Sequence, residues 1–367
     1  MISSQNLLLV GGGHAHVAVL ADWIRGGIPA ETATLVTPYP TLRYSGMVPG
    51  WISGQYSRDD GLVDLAALAK RAGVKLVLDR CDGLDLDQHS VRTASGAEIT
   101  FDICSIDTGG VGRASHILGD DPRIIDVRPI DRFVDQIEGM DAAKHIAVVG
   151  GGAGGVELAF GLRNRGDGAL TMVTLITGKE GLLPRFGNSV RRRVSAELSR
   201  QGITAVEADA EIRGKVLSAG AAALPDIDLI VAAMGSGAPQ WPEESGLACD
   251  PNGFIAVDQY QRSISHPYVF AVGDVASRQD RHVPHSGVHA VFAGPILADN
   301  LRAAAAGLPP TKSYVPRIAN LYLISTGRGE AIASFGAFSA QGQWAAKLKH
   351  WIDTRWLTQY ARLSGAK

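Results

Sequence analysis

Glycine-rich turns occur twice in this chain, each between an apolar run and a helix-like segment. Residues 7–20 read LLLVGGGHAHVAVL, and residues 146–159 read IAVVGGGAGGVELA. Such a turn lets the backbone approach a pyrophosphate, and the positive end of the following helix attracts its negative charge. Two such units in one chain predict two dinucleotides held face to face, an arrangement suited to electron transfer.

The second turn carries the complete fingerprint of a dinucleotide-binding βαβ unit, Gly150-x-Gly152-x-x-Gly155. Gly150 permits the tight turn, Gly152 opens the backbone to the phosphates, and Gly155 lets the helix pack closely on the strand. Because an apolar strand precedes the turn and a helical pattern follows it, a nucleotide site is favoured over a merely tight turn.

The first turn departs from this fingerprint. Gly11 and Gly13 are present, but His16 stands where the third glycine belongs. The helix must therefore lie farther from the strand, or the imidazole must fill the gap, and we interpret His16 as a packing residue. His14 lies at the predicted helix start, where its backbone N–H could face a phosphate.

An acidic residue about 20 positions after the glycines normally binds a ribose hydroxyl. Here Thr37 and Thr177 occupy the equivalent positions, and a threonine hydroxyl bonds a ribose without charge assistance. In the second unit, the missing carboxylate would no longer repel a 2′-phosphate, and Lys179 is close in sequence. NADH and NADPH both remain open, since Lys179 could equally be a solvated surface residue.

Composition narrows the classes of partner. The formal net charge of −2 does not favour nucleic acid. No run of about 18 apolar residues is present, so no transmembrane helix is predicted. The first residues lack the basic region of a signal peptide. We therefore expect an intracellular, cytoplasmic protein.

Neither a redox disulfide nor a metal site is predicted. Cys81, Cys104 and Cys249 are far apart and form no C-x-x-C pair, and Cys104 in an apolar strand is interpreted as a buried small hydrophobe. His285 and His289 have the i,i+4 spacing of metal ligands, but no carboxylate completes the set.

The order of patterns predicts an α/β fold with two Rossmann-like, doubly wound dinucleotide-binding domains, the second inserted in the first. The first domain would comprise residues 1–115 and 254–306, and the second residues 116–253. A charged, helix-compatible stretch, residues 120–144, would lead into the second domain. A small C-terminal segment, residues 307–367, would end in an amphipathic Trp-rich helix.

Three further motifs carry a resemblance to a known family. They are Thr100-Phe101-Asp102 followed by Thr108-Gly109, the run 226–235 ending at Gly235, and the run 270–276 containing Gly273-Asp274. With the two glycine turns, they resemble the two-dinucleotide flavoproteins of the pyridine nucleotide-disulfide oxidoreductase type. That group includes type II NADH dehydrogenases, sulfide:quinone oxidoreductases and ferredoxin reductases. The resemblance implies FAD at the first turn and NADH or NADPH at the second.

A closer resemblance concerns GGGHAHV together with YSGMVPG at residues 44–50, which are similar to a subgroup found alone or fused ahead of selenide, water dikinase. In that subgroup the second segment would lie near the isoalloxazine. The family implies FAD contacts at Gly11, Gly13, His14, Ala15, Thr37, Pro38, Arg43, Ser45, Met47, Cys81, Thr108, Gly109, Gly273, Asp274, Ser286, Gly287 and Val288. It implies NAD(P)H contacts at Gly150, Gly152, Ala153, Gly155, Thr177, Lys179 and Gly235.

Two residues are implied in catalysis. Glu157 matches a family glutamate that faces the nicotinamide, although an ordinary helix-surface charge explains it equally well. His285 would be a proton donor beside the flavin. The Ala-Gln pair that type II NADH dehydrogenases carry near the quinone is replaced by Gly287-Val288, which weakens the case for a standard quinone pocket. The cysteines that sulfide oxidation requires are not matched.

The predicted activity is an FAD-dependent NAD(P)H oxidoreductase. Hydride would pass from NAD(P)H to FAD, and electrons then to a second small-molecule acceptor, with quinone as the acceptor that kinship favours and no redox disulfide. Two alternatives stay open: a flavoenzyme acting on a sulfur or selenium compound, and a flavin-bearing redox sensor with a degenerate NAD(P) site.

The C-terminal tryptophans, Trp344, Trp351 and Trp356, have near-helical spacing and basic neighbours. We favour docking of this stripe on the protein's own core or on a second subunit, which would give a homodimer. The alternative is peripheral contact with the inner face of a membrane.

Overall fold

The computed structural model describes residues 5–140, 143–166, 171–317 and 320–365, and the parts of the predicted domains in the gaps lie outside the described residues. The strands are β1 (Asn6–Val10), β2 (Thr32–Thr37), β3 (Thr41–Arg43), β4 (Leu62–Asp64), β5 (Lys75–Leu78), β6 (Cys81–Asp85), β7 (Ser90–Thr93), β8 (Glu98–Thr100), β9 (Ile103–Ile106), β10 (Ile124–Asp126), β11 (His145–Val149), β12 (Met172–Ile176), β13 (Thr204–Val206), β14 (Ala210–Arg213), β15 (Val216–Ala219), β16 (Ala222–Leu224), β17 (Leu229–Ala232), β18 (Ile255–Val257), β19 (Val269–Ala271), β20 (Ala276–Arg278), β21 (Leu321–Ser325), β22 (Ala331–Phe335) and β23 (Phe338–Gly342). The helices are α1 (His14–Gly26), α2 (Val48–Ile52), α3 (Leu65–Ala72), α4 (Ala114–Leu118), α5 (Ile130–Glu138), α6 (Ala153–Arg163), α7 (Asn188–Arg200), α8 (Trp241–Glu244), α9 (Gly287–Ala305) and α10 (Gln343–Ser364).

Two parallel five-stranded sheets form the centre of the fold. The first has the order β19-β9-β1-β2-β5 and the second the order β10-β17-β11-β12-β13. Strand β19 pairs with β9, although the whole second sheet lies between them in the chain. The predicted α/β class with one Rossmann-like unit inserted in another is therefore confirmed.

Each sheet has two buried faces, as the continuous apolar runs predict. In the first unit, Leu7 and Leu9 of β1 face helices α1, α3 and α9, whereas Leu8 and Val10 face the other way. That second face is covered by the antiparallel sheet β6-β7-β8, and β14-β15-β16 covers the second unit in the same manner. One face of each sheet thus carries a small sheet rather than a layer of helices.

In the stretch 120–144, which the sequence shows to be helix-compatible, the described residues form a strand followed by a helix. Ile124 and Ile125 of β10 pair with β17, so this segment supplies the edge strand of the second sheet before α5 begins. The small residues throughout 287–306 predict a helix that starts at Ser286, and α9 confirms this prediction.

The domain limits stay a prediction, and one local packing arrangement bears on them. Leu247 lies in the same buried cluster as Leu8 and Val10, and Ser245 Oγ accepts a hydrogen bond from Leu84 N at 2.9 Å. Residues 241–247 therefore pack with the first unit, ahead of the predicted boundary at 253.

The C-terminal segment contacts both units. Its antiparallel sheet β21-β22-β23 packs on α6 and α7, while α10 packs on α1, α3 and β4. Trp356 faces the first core, whereas Trp344 and Trp351 are 51% and 55% exposed. None of the helices in the described part is both long and apolar enough to span a bilayer.

Candidate functional site

The glycine turn of the second unit joins β11 to α6 and has an open outer side. A Cβ added to Gly155 would lie 2.1 Å from Gly150 O, so glycine is required for this close helix–strand approach. A Cβ added to Gly152 or Gly154 would meet no heavy atom within 4 Å. No side chain caps α6. This turn therefore has the space and the free N–H groups that a pyrophosphate needs.

The first turn is more enclosed, and His16 explains why its third glycine is dispensable. The His16 side chain is fully buried, its Nδ1 donates to Gly11 O at 2.6 Å, and its Nε2 accepts from Ser105 Oγ at 2.8 Å. The imidazole fills the gap between helix and strand, which confirms its interpretation as a packing residue. Burial lowers the pKa of His16 to about 4, so the ring is neutral at physiological pH.

Asp107, which the sequence analysis missed, lies beneath this turn. It is 3% exposed, and its Oδ2 accepts hydrogen bonds from Ala15 N at 2.8 Å and His16 N at 3.1 Å. Burial raises the pKa of Asp107 to about 7, the two amide bonds oppose this shift, and the charge of Asp274 adds to it. The sequence does contain one indication of this residue. Asp107 stands directly before Thr108-Gly109, at the position where the family's A-T-G turn has alanine.

The N-terminus of α9 meets the N-terminus of α1. A Cβ added to Gly287 would lie 4.0 Å from His14 Cε1. Two buried polar atoms at this meeting point, His14 Nε2 and Ser286 Oγ, have no hydrogen-bond partner within the described protein. Burial, reinforced by the charge of Arg128, lowers the pKa of His14 to about 4. Converging helix N-termini with unsatisfied polar atoms fit a polar, anionic cofactor such as FAD.

Two ion pairs join the units across this cleft. Arg128, from the second unit, lies 2.7 Å from Asp274 (Nη2 to Oδ2), and the Asp274 side chain is 7% exposed. Arg43 Nε lies 3.1 Å from Asp131 Oδ1. Both predicted FAD ligands, Asp274 and Arg43, thus have partners in the second unit.

Glu157 lies on helix α6 and packs against the C-terminal segment rather than standing on an open helix surface. Its Oε1 accepts a hydrogen bond from Ser325 N at 2.9 Å. Burial raises the pKa of Glu157, and the positive charge of Lys349 opposes that shift. Its predicted catalytic role stays a prediction.

Lys349 connects Glu157 to the YSGM segment. Its Nζ donates to Asp353 Oδ2 and to Gly46 O, both at 2.9 Å, and Tyr44 OH donates to Asp353 Oδ1 at 3.2 Å. Burial would lower the pKa of Lys349, but Glu157 and Asp353 outweigh it and raise the pKa. In the sequence, Lys349 is one of the basic neighbours of the C-terminal tryptophans, and nothing in that pattern indicates these contacts.

His285 and His289 have separate partners. His285 Nε2 donates to Ala276 O at 3.2 Å, and its ring lies 4.0 Å from that of Phe254. His289 Nδ1 lies 2.7 Å from Tyr314 OH. Burial lowers the pKa of His285, while the charge of Asp274 opposes this.

The residues predicted near the ribose groups are engaged locally. Thr177 Oγ1 lies 3.3 Å from Val206 O and from Gly178 O, so its hydroxyl hydrogen is directed at the backbone of β13 or of its own turn. Lys179 Nζ lies 2.7 Å from Asp209 Oδ2, and the lysine side chain is 83% exposed. Its charge is therefore compensated by a carboxylate from the segment after β13.

The remaining predicted contacts occupy varied positions. The Cys81 thiol lies in the core cluster with Leu8, and Cys104 is fully buried as expected. Gly109, Gly235 and Val288 are the more open positions. A Cβ added to Gly109 or Gly235 would meet no atom within 4 Å, and Val288 is 37% exposed. Thr37 and Met47 are buried, Ser45 begins the short helical turn 45–47, and Pro38 directly follows β2.

The fold and cleft define a class of two-dinucleotide oxidoreductases. The pattern of the family described as "Pyridine nucleotide-disulphide oxidoreductase" matches residues 5–294, and the chain belongs to that family. Membership confirms the predicted class, an FAD-dependent oxidoreductase that uses NADH or NADPH. The link to selenide, water dikinase stays a prediction.

Individual relatives are distant. The chain is 27% identical to ferroptosis suppressor protein 1 of Xenopus laevis over 276 residues, covering 70% of each chain. It is 28% identical to the 5,5′-dehydrodivanillate O-demethylase ferredoxin reductase subunit of Sphingobium sp. over 292 residues, covering 75% of this chain and 68% of the relative. The crystal structure of sulfide:quinone oxidoreductase from Aquifex aeolicus superposes with a TM-score of 0.79 at 17% identity, covering 98% and 92% of the two chains, and this likeness shows the fold.

Proposed function

We propose that the chain oxidises NADH, bound at the turn 150–155, by way of FAD bound at the turn 11–16, and reduces a small acceptor of the quinone class. The observation that carries this proposal is the contact of Arg128 with Asp274, because it brings the second unit against the FAD motif of the first. FAD, when bound, supplies the two-electron chemistry, and the chain supplies position and electrostatics.

The first unit would hold FAD through groups that converge on one cleft. The backbone of Gly11–His14 and the positive end of α1 would bind the pyrophosphate, and Asp274 would accept a hydrogen bond from a ribityl hydroxyl. The N-terminus of α9, uncapped by Ser286, would stabilise negative charge at the far end of the cofactor, by about 0.3–2 kcal/mol.

Glu157 and His285 are the proposed proton-handling residues. Because Ser325 N binds Oε1 of Glu157, its Oε2 is the oxygen available to hold a proton near Lys349. Because His285 Nε2 donates to Ala276 O, its Nδ1 is the free atom. A residue that can hold or release a proton beside the flavin suits a reaction that adds both electrons and protons to an acceptor.

NADH is favoured over NADPH by the partner of Lys179. A 2′-phosphate needs a free cation, but Lys179 is paired with Asp209. The Glu207 carboxylate also approaches this end, 3.0 Å from a Cβ added to Gly181. Two carboxylates after β13 would repel a 2′-phosphate.

A quinone acceptor is supported by one relative, the sulfide-quinone reductase of Aquifex aeolicus, which is 26% identical over 106 residues, 29% of this chain and 24% of the relative. The aromatic side chains of Trp344 and Trp351 on α10 and of Phe338 on β23 are exposed. We propose that these side chains bring the protein to the surface of a membrane, where quinones dissolve, and their burial in a homodimer is the competing arrangement.

Anaerobic mixing tests the activity directly. The yellow flavin absorbance should bleach on adding NADH and return on adding a short-chain ubiquinone or menaquinone analogue. If NADH bleaches the flavin but the quinone does not restore the absorbance, the proposed oxidation of NADH stands and the proposed quinone acceptor is wrong. Absence of bleaching with both NADH and NADPH would overturn the function.

A further inference from the structure

Asp107 holds helix α1 from outside the helix. Its Oδ2 accepts the N–H groups of Ala15 and His16, the second and third residues of α1. An N-cap side chain normally accepts hydrogen bonds from these two amides, but the N-cap residue of α1 is Gly13, which has no side chain. A Cβ added to Gly13 would lie 2.3 Å from Asp107 Oδ1, so the carboxyl group is in direct contact with the turn.

The charge of this carboxyl group matters because α1 is also the helix that attracts a pyrophosphate. An ionised Asp107 would neutralise the positive helix end and repel a phosphate group. The other titratable or charged groups facing it are His14 and His16, whose pKa values burial lowers to about 4, and Asp274 with its partner Arg128. At neutral pH the histidines are uncharged, and Arg128 already compensates Asp274.

A place for a proton exists on the other oxygen of the same carboxyl group. Both helix amides bind Oδ2, which leaves Oδ1 unengaged by them. A Cβ added to Gly273 would lie 2.7 Å from this Oδ1, so the oxygen faces the Gly273-Asp274 motif. Because burial raises the pKa of Asp107 to about 7, the carboxyl group is present in both forms near neutral pH.

We propose that Asp107 is a positioning residue that couples FAD binding to the uptake of a proton. The neutral carboxyl group holds the first turn of α1 ready for the pyrophosphate, and the carboxylate opposes the pyrophosphate. The inference rests on the proposed FAD site at the first turn. FAD brings additional negative charge to this helix end, so binding transfers a proton from solvent to Asp107 Oδ1.

Calorimetry on the wild-type protein measures this uptake without any mutation. Deflavinated protein is titrated with FAD at pH 7.5 in HEPES and in Tris, whose ionisation enthalpies differ. We expect uptake of about 0.5–1 proton per FAD and a rise in Kd on the order of tenfold between pH 6.5 and 8.5. If FAD binds with no proton uptake, the inference is wrong and the proposed function stands. If FAD does not bind at any pH, the proposed function itself fails.

The D107N variant assigns the proton to Asp107. An asparagine keeps the shape and one oxygen to accept both helix amides, but it cannot ionise. We expect FAD affinity that is independent of pH and an uptake close to zero. The matched control is D102N, since Asp102 is exposed and bonds Asn6 N at the other end of β9. Uptake that persists in D107N would overturn the assignment, as would its loss in D102N.

Discussion

Arg128 of the second unit and Asp274 of the first lie 2.7 Å apart, with the carboxylate almost entirely buried. The arginine follows β10 and the aspartate follows β19, so the pair links the two sheets at the cleft. Removal of the arginine would leave a buried carboxylate without its cation, directly beside the proposed FAD site.

The R128Q variant should therefore bind FAD less tightly. We expect Kd for FAD to rise about tenfold, equivalent to about 1.4 kcal/mol. Flavin fluorescence titration of deflavinated protein measures it. The control is R132Q, because Arg132 is an exposed residue of α5. Equal FAD affinity in the two variants would contradict the prediction.

G152A should separate NADH binding from folding. An added methyl group at Gly152 meets no protein atom within 4 Å but would occupy the space proposed for the phosphates. We expect KM for NADH to rise more than about tenfold, with FAD content and Tm unchanged. G139A is the control, since Gly139 follows α5, outside the turn, and a Cβ there would meet only Gln136 O, at 3.8 Å. A normal KM in G152A would place the nicotinamide cofactor elsewhere.

D209N should shift the coenzyme preference. The substitution releases Lys179 from its ion pair, so that the lysine can meet a 2′-phosphate. We expect kcat/KM for NADPH to increase several-fold relative to NADH, measured by steady-state kinetics with each coenzyme. E211Q breaks the similar exposed pair of Glu211 and Arg213 and should leave the ratio unchanged. An unaltered ratio in D209N would refute the role of this pair.

K349M should destabilise the protein. Lys349 and Asp353 are 15% and 5% exposed, and the lysine is the cation bonded to that buried carboxylate. Loss of one partner of a buried pair costs about 3–5 kcal/mol. Chemical denaturation measures the free energy of unfolding, and K349M/D353N should recover part of the loss. K347M, at an exposed position of the same helix, is the control. A double variant less stable than K349M would contradict this explanation.

H16G, which restores the family glycine, should weaken the fold. It removes the hydrogen bonds of the imidazole to Gly11 O and Ser105 Oγ and leaves a cavity beneath the turn. We expect a loss of about 2–5 kcal/mol in the free energy of unfolding, measured by thermal and urea unfolding. H16N, which keeps some polarity, should lose less. A neutral or stabilising H16G would show that the helix can close onto the strand.

The two sheets and their glycine turns were predictable from sequence because they depend on local order. An apolar strand, glycines at fixed spacing and a helical pattern follow one another within about 20 residues. The close approach of Gly155 to Gly150 O is what that spacing implies. The start of α9 after Ser286 was likewise encoded in adjacent residues.

Contacts between segments that are far apart in the chain could not be predicted from local sequence order. Asp107 reaches α1 across 92 residues, and Tyr44 meets Asp353 across 309. The tryptophan stripe shows the same limit, since Trp351 faces outward and Trp356 inward on one helix. Spacing places these residues near one another on α10, but only the packing of α10 on the first unit decides which is covered.

The position of β19 has a consequence for how the chain is made. The second unit runs without interruption from β10 to β17, whereas the first sheet gains its edge strand only at Val269–Ala271. Since domains generally fold as units during synthesis, the inserted unit can be complete on the ribosome while its host still exposes an open edge at β9. The second unit can therefore fold before the first unit is complete.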